Sequence, residues 1–292
     1  MPYVTTDDDV RLYYEEYGQG DTIVFVHEFA GDHRSWYPQV RHFSRRYRVL
    51  IYDARGYPPS DVPTDPSVYG QYRAVDDALA VMDAVGAQHA HVVGNSMGGF
   101  TALHLGRLHP DRITAVVSSG CGYGARPDTI ERFQSECETI ARAFETEGSE
   151  SMSTWYGVGP ARVQYQAKDP FGHAEHVRVL AEHDPVGAAL TMRGVQKSRP
   201  SLYALKDELA AMDVPVLIIA GDEDDGALET DLMLKRTIPR AGLAVLPRSG
   251  HPTNLEEPAL YNQLVEQFFS QVEHDRWGRR DPRSQVASTT GA

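Results

Sequence analysis

Apolar and polar positions along this 292-residue chain follow two rhythms. Short apolar runs rich in β-branched and aromatic residues recur, and between them apolar residues return every three or four positions. Arg11–Tyr17 is rich in tyrosine and ends at the turn Gly18-Gln19-Gly20-Asp21; with Thr22–Val26 it reads as two antiparallel strands. Thr22–Val26 is continuous rather than alternating, as in a strand buried on both faces. Further strands are predicted over 48–52, 89–93, 113–117, 215–220 and 243–246. Helical spacing lies between them over 35–46 (Trp36, Val40 and Phe43 on one face), 69–85, 101–108, 228–237 and 258–272. Strands alternating with helices imply an α/β protein with a parallel sheet covered on both faces. The alternation breaks over 123–212, where Phe133, Cys137, Ile140, Ala141 and Phe144, then Val177, Leu180 and Ala181, keep a helical period without a strand. The expected organisation is a core of 1–122 and 213–273, a helical insertion at 123–212, and a disordered tail at 274–292, charged and then Ser/Thr/Ala-rich.

One stretch organises the rest. The run Val92-Val93 passes straight into Gly94-Asn95-Ser96-Met97-Gly98-Gly99, and helical spacing resumes at Thr101. That is strand, abrupt turn and helix with a serine at the tip. Gly94 and Gly98 stand where side chains would collide as strand and helix close together. The serine is thereby held on a strained turn, its hydroxyl exposed at the positive end of the helix.

In this context the chain resembles the α/β-hydrolase family from about residue 10 to about residue 272. The resemblance implies an α/β-hydrolase fold: a mostly parallel central sheet flanked by helices, with the insertion as a cap over the site. It also implies a nucleophile, an acid and a histidine in the order Ser96, Asp224, His251. Ser249-Gly250-His251, followed by Glu256-Glu257-Pro258, matches the pattern around the family's catalytic histidine. The family's Gly-x-x-Asp after a strand selects Asp224 from the cluster at 222–225, leaving Asp222 and Asp225 as caps of the turn and the next helix. A serine hydroxyl is a poor nucleophile at neutral pH; a histidine within reach takes its proton, and a carboxylate orients the ring and stabilises its cation. The oxyanion donors implied are the backbone N–H groups of Met97 and Phe29.

Two departures stand out. The family usually carries His-Gly where this chain has His27-Glu28. A carboxylate there opposes a developing oxyanion unless it turns to solvent, pairs with a cation such as His33 or Arg34, or is protonated. Alternatively Glu28 lines the pocket and touches substrate or relays a proton. The second departure, Gly56-Tyr57-Pro58-Pro59-Ser60, stiffens a loop with two prolines. Glu28, Cys121, Tyr123 and Trp155 are the substrate-binding candidates, although Cys121 also suits the core; Phe29, Trp36, Phe133, Tyr156 and Tyr165 are further candidates for an apolar pocket wall. His173, His176 and His183 fall near one helical face, but no cysteine or carboxylate set completes a metal site, so neither metal nor organic cofactor is expected.

Charge and composition narrow the partners. A net charge of −13 repels nucleic acid and anionic membranes. Two cysteines are too few for a disulfide framework and suit a reducing compartment. The acidic N-terminus lacks an apolar signal region, and no run approaches the ~18 apolar residues of a membrane span. A cytoplasmic enzyme acting on a small molecule is expected. The substrate class implied is a small hydrophobic or aromatic carboxylic ester or lactone. Asn95 before the serine resembles carbon–carbon bond hydrolases of β-diketone or ring-cleavage products equally well. The scaffold also hosts cofactor-free perhydrolases and dioxygenases. An alternative of another class is a non-catalytic small-molecule receptor, against which the complete Ser/Asp/His set argues.

Overall fold

The computed structural model describes residues 2–285. Its strands are β1 (Tyr3–Thr5), β2 (Arg11–Tyr17), β3 (Thr22–Val26), β4 (Arg48–Tyr52), β5 (Ala90–Asn95), β6 (Ile113–Ser119), β7 (Val216–Gly221) and β8 (Ala241–Leu246). They form one sheet in the order β1-β2-β4-β3-β5-β6-β7-β8. Pairing is antiparallel at β1–β2 and β2–β4, and parallel from β4 onward. The expected pairing of β2 with β3 is therefore corrected. β4 lies between them, with Tyr52 opposite Tyr14 on one side and Val49 opposite Ile23 on the other. The reason is burial: β3 is buried at every residue and belongs in mid-sheet, whereas β2 frays into exposed positions near the edge. Strand β1 is too short and exposed to show a period, and it was not anticipated.

Successive side chains of each strand go to opposite faces. Val24, Leu50, Val92 and Val116 meet α2 (Gln71–Ala84), α3 (Met97–Leu108) and α9 (Asp225–Thr237) in one core. Ile23, Phe25, Ile51 and Val93 pack with Phe43, Phe268 and Phe269 in the other, contributed by α1 (Tyr37–Phe43) and by α11 (Pro258–Glu273), which follows the short α10 (Thr253–Glu256). Helix α1 is shorter than the expected 35–46 because His33–Trp36 forms a tighter turn before it.

Between β6 and β7 there is no strand among the described residues. Helices α4 (Ile130–Trp155, broken at Gly148), α5 (Val163–Lys168), α6 (Pro170–Ala181), α7 (Pro185–Thr191) and α8 (Lys206–Ala211) fill this stretch. Phe144, Met152, Leu180 and Met192 of the insertion pack with Phe29, Tyr57 and Met97 from the strand ends, so the insertion sits over the C-terminal edge of the sheet. The tail expectation also needs correction. Trp277 packs on Phe268, with ring centroids 4.6 Å apart, and donates from Nε1 to the Arg240 carbonyl at 2.8 Å. One partly buried aromatic ring anchors a segment whose composition is otherwise that of a solvated tail. Residues 286–292 of the expected tail lie outside the described residues. No helix among the described residues is long and apolar enough to cross a membrane.

The tightest packing surrounds the turn after β5. A side chain on Gly94 would strike the Gly98 carbonyl, and one on Gly98 would strike the carbonyls of Val26 and His27. Gly98→Ala is accordingly expected to lower unfolding free energy in urea by at least the ~1–3 kcal/mol of core overpacking. Gly278→Ala, with open space around the added carbon, should stay within about 0.5 kcal/mol of wild type.

Candidate active site

β5 is buried throughout, and the chain leaves it through Ser96 at φ 54°, ψ −116°, a backbone region that non-glycine residues rarely occupy. Helix α3 starts at Met97. The turn is held on both sides: the Ser96 N–H donates to the Ser119 carbonyl at 2.7 Å, and the Ser96 carbonyl accepts the Phe100 N–H at 3.0 Å. The Cys121 thiol donates to that same carbonyl at 3.4 Å. Cys121 therefore supports the turn from behind and does not line the pocket, which corrects its place among the binding candidates. Burial pushes its thiol far up, so it stays neutral.

His251 follows β8, and its Nδ1 lies 2.7 Å from Asp224 Oδ2. Burial alone would raise the Asp224 pKa, but the charge and hydrogen bond of His251, and a bond from Tyr123, hold it below the usual carboxylate range. An ionised carboxylate only accepts, so the network places the ring proton on Nδ1 and leaves the lone pair on Nε2. The Tyr123 hydroxyl donates to Asp224 Oδ1 at 3.0 Å, and its ring stands edge-on to His251. The neighbouring acids act elsewhere: Asp222 accepts the Ser249 N–H at 3.1 Å, Glu223 takes the Gln164 amide, and Asp225 opens α9. Among the described residues no hydrogen bond joins Ser96 to His251; serine–base bonds of this kind often close only around substrate.

The turn after β3 is built from its histidine. The Ala54 N–H donates to His27 Nε2 at 3.0 Å, so the ring proton sits on Nδ1, 2.7 Å from the Glu28 carbonyl. That carbonyl also accepts the Gly31 N–H at 3.2 Å. In a planar trans peptide the Phe29 N–H must point the opposite way. Phe29 and Met97 are both buried, and neither N–H finds an acceptor among the described residues. Two unpaired donors, one at a helix N-terminus, make a position for a negative oxygen. The proline-stiffened loop contributes here too: the buried Tyr57 hydroxyl donates to the Phe29 carbonyl at 3.0 Å. Asp32, His33 and Asp53 are the one trio among the described residues that could share a metal ion, but they are already committed. His33 bonds Asp53 at 2.7 Å, and Asp32 takes Arg34.

Both cations considered for Glu28 are thus engaged elsewhere, and Glu28 does not turn to solvent. It is buried, and its Oε2 accepts from Nη2 of Arg162, a buried residue of the insertion. Glu28 Oε2 also lies 3.9 Å from His251 Nε2. Burial would raise the Glu28 pKa, but Arg162, His176 and His251 outweigh it and keep the carboxyl below its ordinary value. Glu28 Oε1 and Arg162 Nε and Nη1 have no partner.

Ser96, His251, Glu28 and Phe29 line a cavity of about 440 Å³ between sheet and insertion. Tyr123, Phe133 and Tyr156 form aromatic walls, with the half-exposed Trp155 at the edge. Trp36 packs in the core against Phe25, and Tyr165 borders a separate surface groove. His173, His176 and His183 are buried packing groups of the insertion, and His173 reaches the Gly157 carbonyl at 3.1 Å. Sequence reasoning missed Arg162, Gln196 and Arg199, which also line the cavity. An arginine in an insertion of no recognised motif looks like any surface charge, and no local pattern marks it.

The alpha/beta hydrolase fold family matches residues 21–258, and the chain belongs to it. It is a hydrolase on an α/β scaffold. It is 26% identical to 3-oxoadipate enol-lactonase 1 of Acinetobacter baylyi over 86% of this chain and 89% of that protein. It is 29% identical to 2-hydroxymuconate semialdehyde hydrolase of Pseudomonas putida over 79% of each. The crystal structure of the enol-lactonase from Burkholderia xenovorans superposes with a TM-score of 0.80 at 27% identity, over 92% of this chain and 100% of that one.

The Glu28–Arg162 pair generates a stability prediction. Arg162→Met leaves a buried carboxylate unpaired and should cost about 3–5 kcal/mol in urea unfolding at pH 7, most of it recovered in Arg162→Met/Glu28→Gln. Because the folded pKa of Glu28 lies below its unfolded value, its contribution is full above the ordinary carboxylate range and fades as pH falls through the folded value. Glu28→Gln should therefore flatten the acid limb of the stability–pH curve.

Proposed function

We propose that this enzyme opens a small hydrophobic or aromatic carboxylic ester or lactone through an acyl-enzyme on Ser96. The observation that carries this is the Asp224–His251 pair, 2.7 Å apart, with His251 lining one cavity together with the strained Ser96 and with Phe29. Ser96 Oγ attacks the carbonyl carbon as His251 Nε2 takes its proton, and Asp224 stabilises the imidazolium. The oxyanion forms against the N–H groups of Phe29 and Met97. Collapse breaks the acyl–oxygen bond, and His251 returns the proton to the departing oxygen. Water then attacks the acyl carbon with His251 as base, releasing the acid and restoring Ser96. Residues 123–212 serve as a cap whose aromatic groups hold the acyl part. Glu28 stabilises the imidazolium from its far side, while Arg162 offsets its charge so that the oxyanion is not repelled. No metal or organic cofactor enters these steps; the enzyme works in the cytoplasm on a small molecule alone.

The names of the enol-lactonase relatives support a lactone or ester. The semialdehyde hydrolase relative supports the second reading, cleavage of a carbon–carbon bond in a β-diketone or ring-cleavage product.

A fluorophosphonate probe is expected to label Ser96, located by mass spectrometry, and to fail on His251→Ala. Asp224→Asn should lower kcat on p-nitrophenyl esters by about 10⁴-fold. A labelled enzyme that ignores esters and lactones but cleaves a vinylogous diketone would favour carbon–carbon hydrolysis. A folded protein that takes no label and binds without turnover would point to a receptor. Unchanged activity of Glu28→Gln at every pH would remove Glu28 from the mechanism.

A further inference from the structure

The cavity holds a second buried guanidinium, and this one has no counter-charge. Arg199 is 5% exposed and lines the cavity from the insertion side. Its Nη1 donates to the Gln196 side-chain carbonyl and its Nη2 to the Tyr123 backbone carbonyl, both neutral acceptors. Its Nε is buried and donates to nothing. Among the described residues no carboxylate pairs with it, whereas Arg162 has Glu28. The cation lies 3.7 Å from the ring centroid of Phe100, one helical turn beyond Ser96, and 5.3 Å from that of Phe133. Tyr123, whose carbonyl it bonds, reaches Asp224 with its hydroxyl. Arg199 thus borders the same cavity as Ser96 and His251.

An ion taken out of water without a partner costs several kcal/mol, and proteins seldom leave one so. Here burial pulls the Arg199 pKa down to about 10, with no carboxylate to oppose it. It remains a cation at neutral pH. The other charges of the lining are matched: Glu28 with Arg162, and Arg132 with Glu136 at 2.7 Å. Arg199 is thus the one arginine of the lining with no carboxylate partner among the described residues, inside a chain of net charge −13.

We infer that Arg199 receives a carboxylate of the substrate. The ester or lactone then carries a free carboxylate, bound at Arg199, besides the carbonyl that meets Ser96. Two of its five N–H groups are bonded, and those left, on a planar cation of unit charge, match a planar carboxylate. The inference rests on the assignment of Ser96 as nucleophile. It also explains the aromatic walls, which hold the short carbon chain between the two ends while the fixed cation sets which end meets the serine.

The test compares mono-p-nitrophenyl glutarate, which keeps a free carboxylate, with its methyl ester. A charge-assisted hydrogen bond is worth about 10- to 100-fold. The wild type is expected to favour the acid by that factor in KM, and Arg199→Met to bring the acid-to-methyl-ester ratio of kcat/KM close to one. Arg199→Lys should keep part of the preference. Folding is checked by thermal melting: Met in place of an unpaired buried charge should leave Tm at or above wild type. Equal KM values for the two esters in wild type, or an unchanged ratio in a folded Arg199→Met, would overturn the inference. If neither ester is turned over and Ser96 takes no fluorophosphonate, the serine mechanism fails separately. Calorimetric titration with glutarate then decides the carboxylate site: binding lost in Arg199→Met supports it, and no binding to wild type sinks it.

Discussion

Everything at the C-terminal ends of the strands depends on how closely β3 and α3 approach. Gly98 lies against the carbonyls of Val26 and His27, where any side chain would collide. That contact brings the start of α3, with the Met97 N–H, beside the turn after β3 that carries Phe29. It also leaves the chain a single sharp route from β5 into α3, through Ser96 at positive φ. The strain at Ser96 follows from the same lack of space. His27 then aims the Phe29 N–H by holding the opposite side of that peptide.

Around this fixed corner the protein places an unusual amount of buried charge. Asp224 with His251 and Glu28 with Arg162 are removed from water, and each ion relies on its neighbour for solvation. The second pair also joins the two parts of the chain, since Glu28 comes from a strand end and Arg162 from the insertion. Apolar contacts hold the insertion down generally; the ion pair sets where it sits, because a displaced Arg162 would leave a bare carboxylate beside His251. A buried glutamate beside His251 is therefore tolerable only with its arginine in place.

The core architecture was legible because it is written in local periods. A continuous apolar run marked β3, helical spacing marked α3 and α11, and the loss of alternation marked the insertion. The Asp224–His251 contact and the turn at Ser96 were legible because each residue stands beside a strand end within a short motif. Strand pairing was not: nothing in residues 11–26 says that β4 will enter between β2 and β3. The anchoring of Trp277 was equally hidden, since its partners lie in other elements.

The sequence by itself determined the order of elements, the turn that bears Ser96 and the chain order of its partners, because these depend on neighbours a few residues away. Only the tertiary structure decided what surrounds them. It turned Glu28 inward to Arg162, moved Cys121 behind the serine, and left Arg199 without an anion in the cavity. Those outcomes are set by burial and by charges that meet across more than a hundred residues of chain, as in the contact between Glu28 and Arg162. No local pattern carries that information, because the cost of burying a charge depends on which partner folding brings to it.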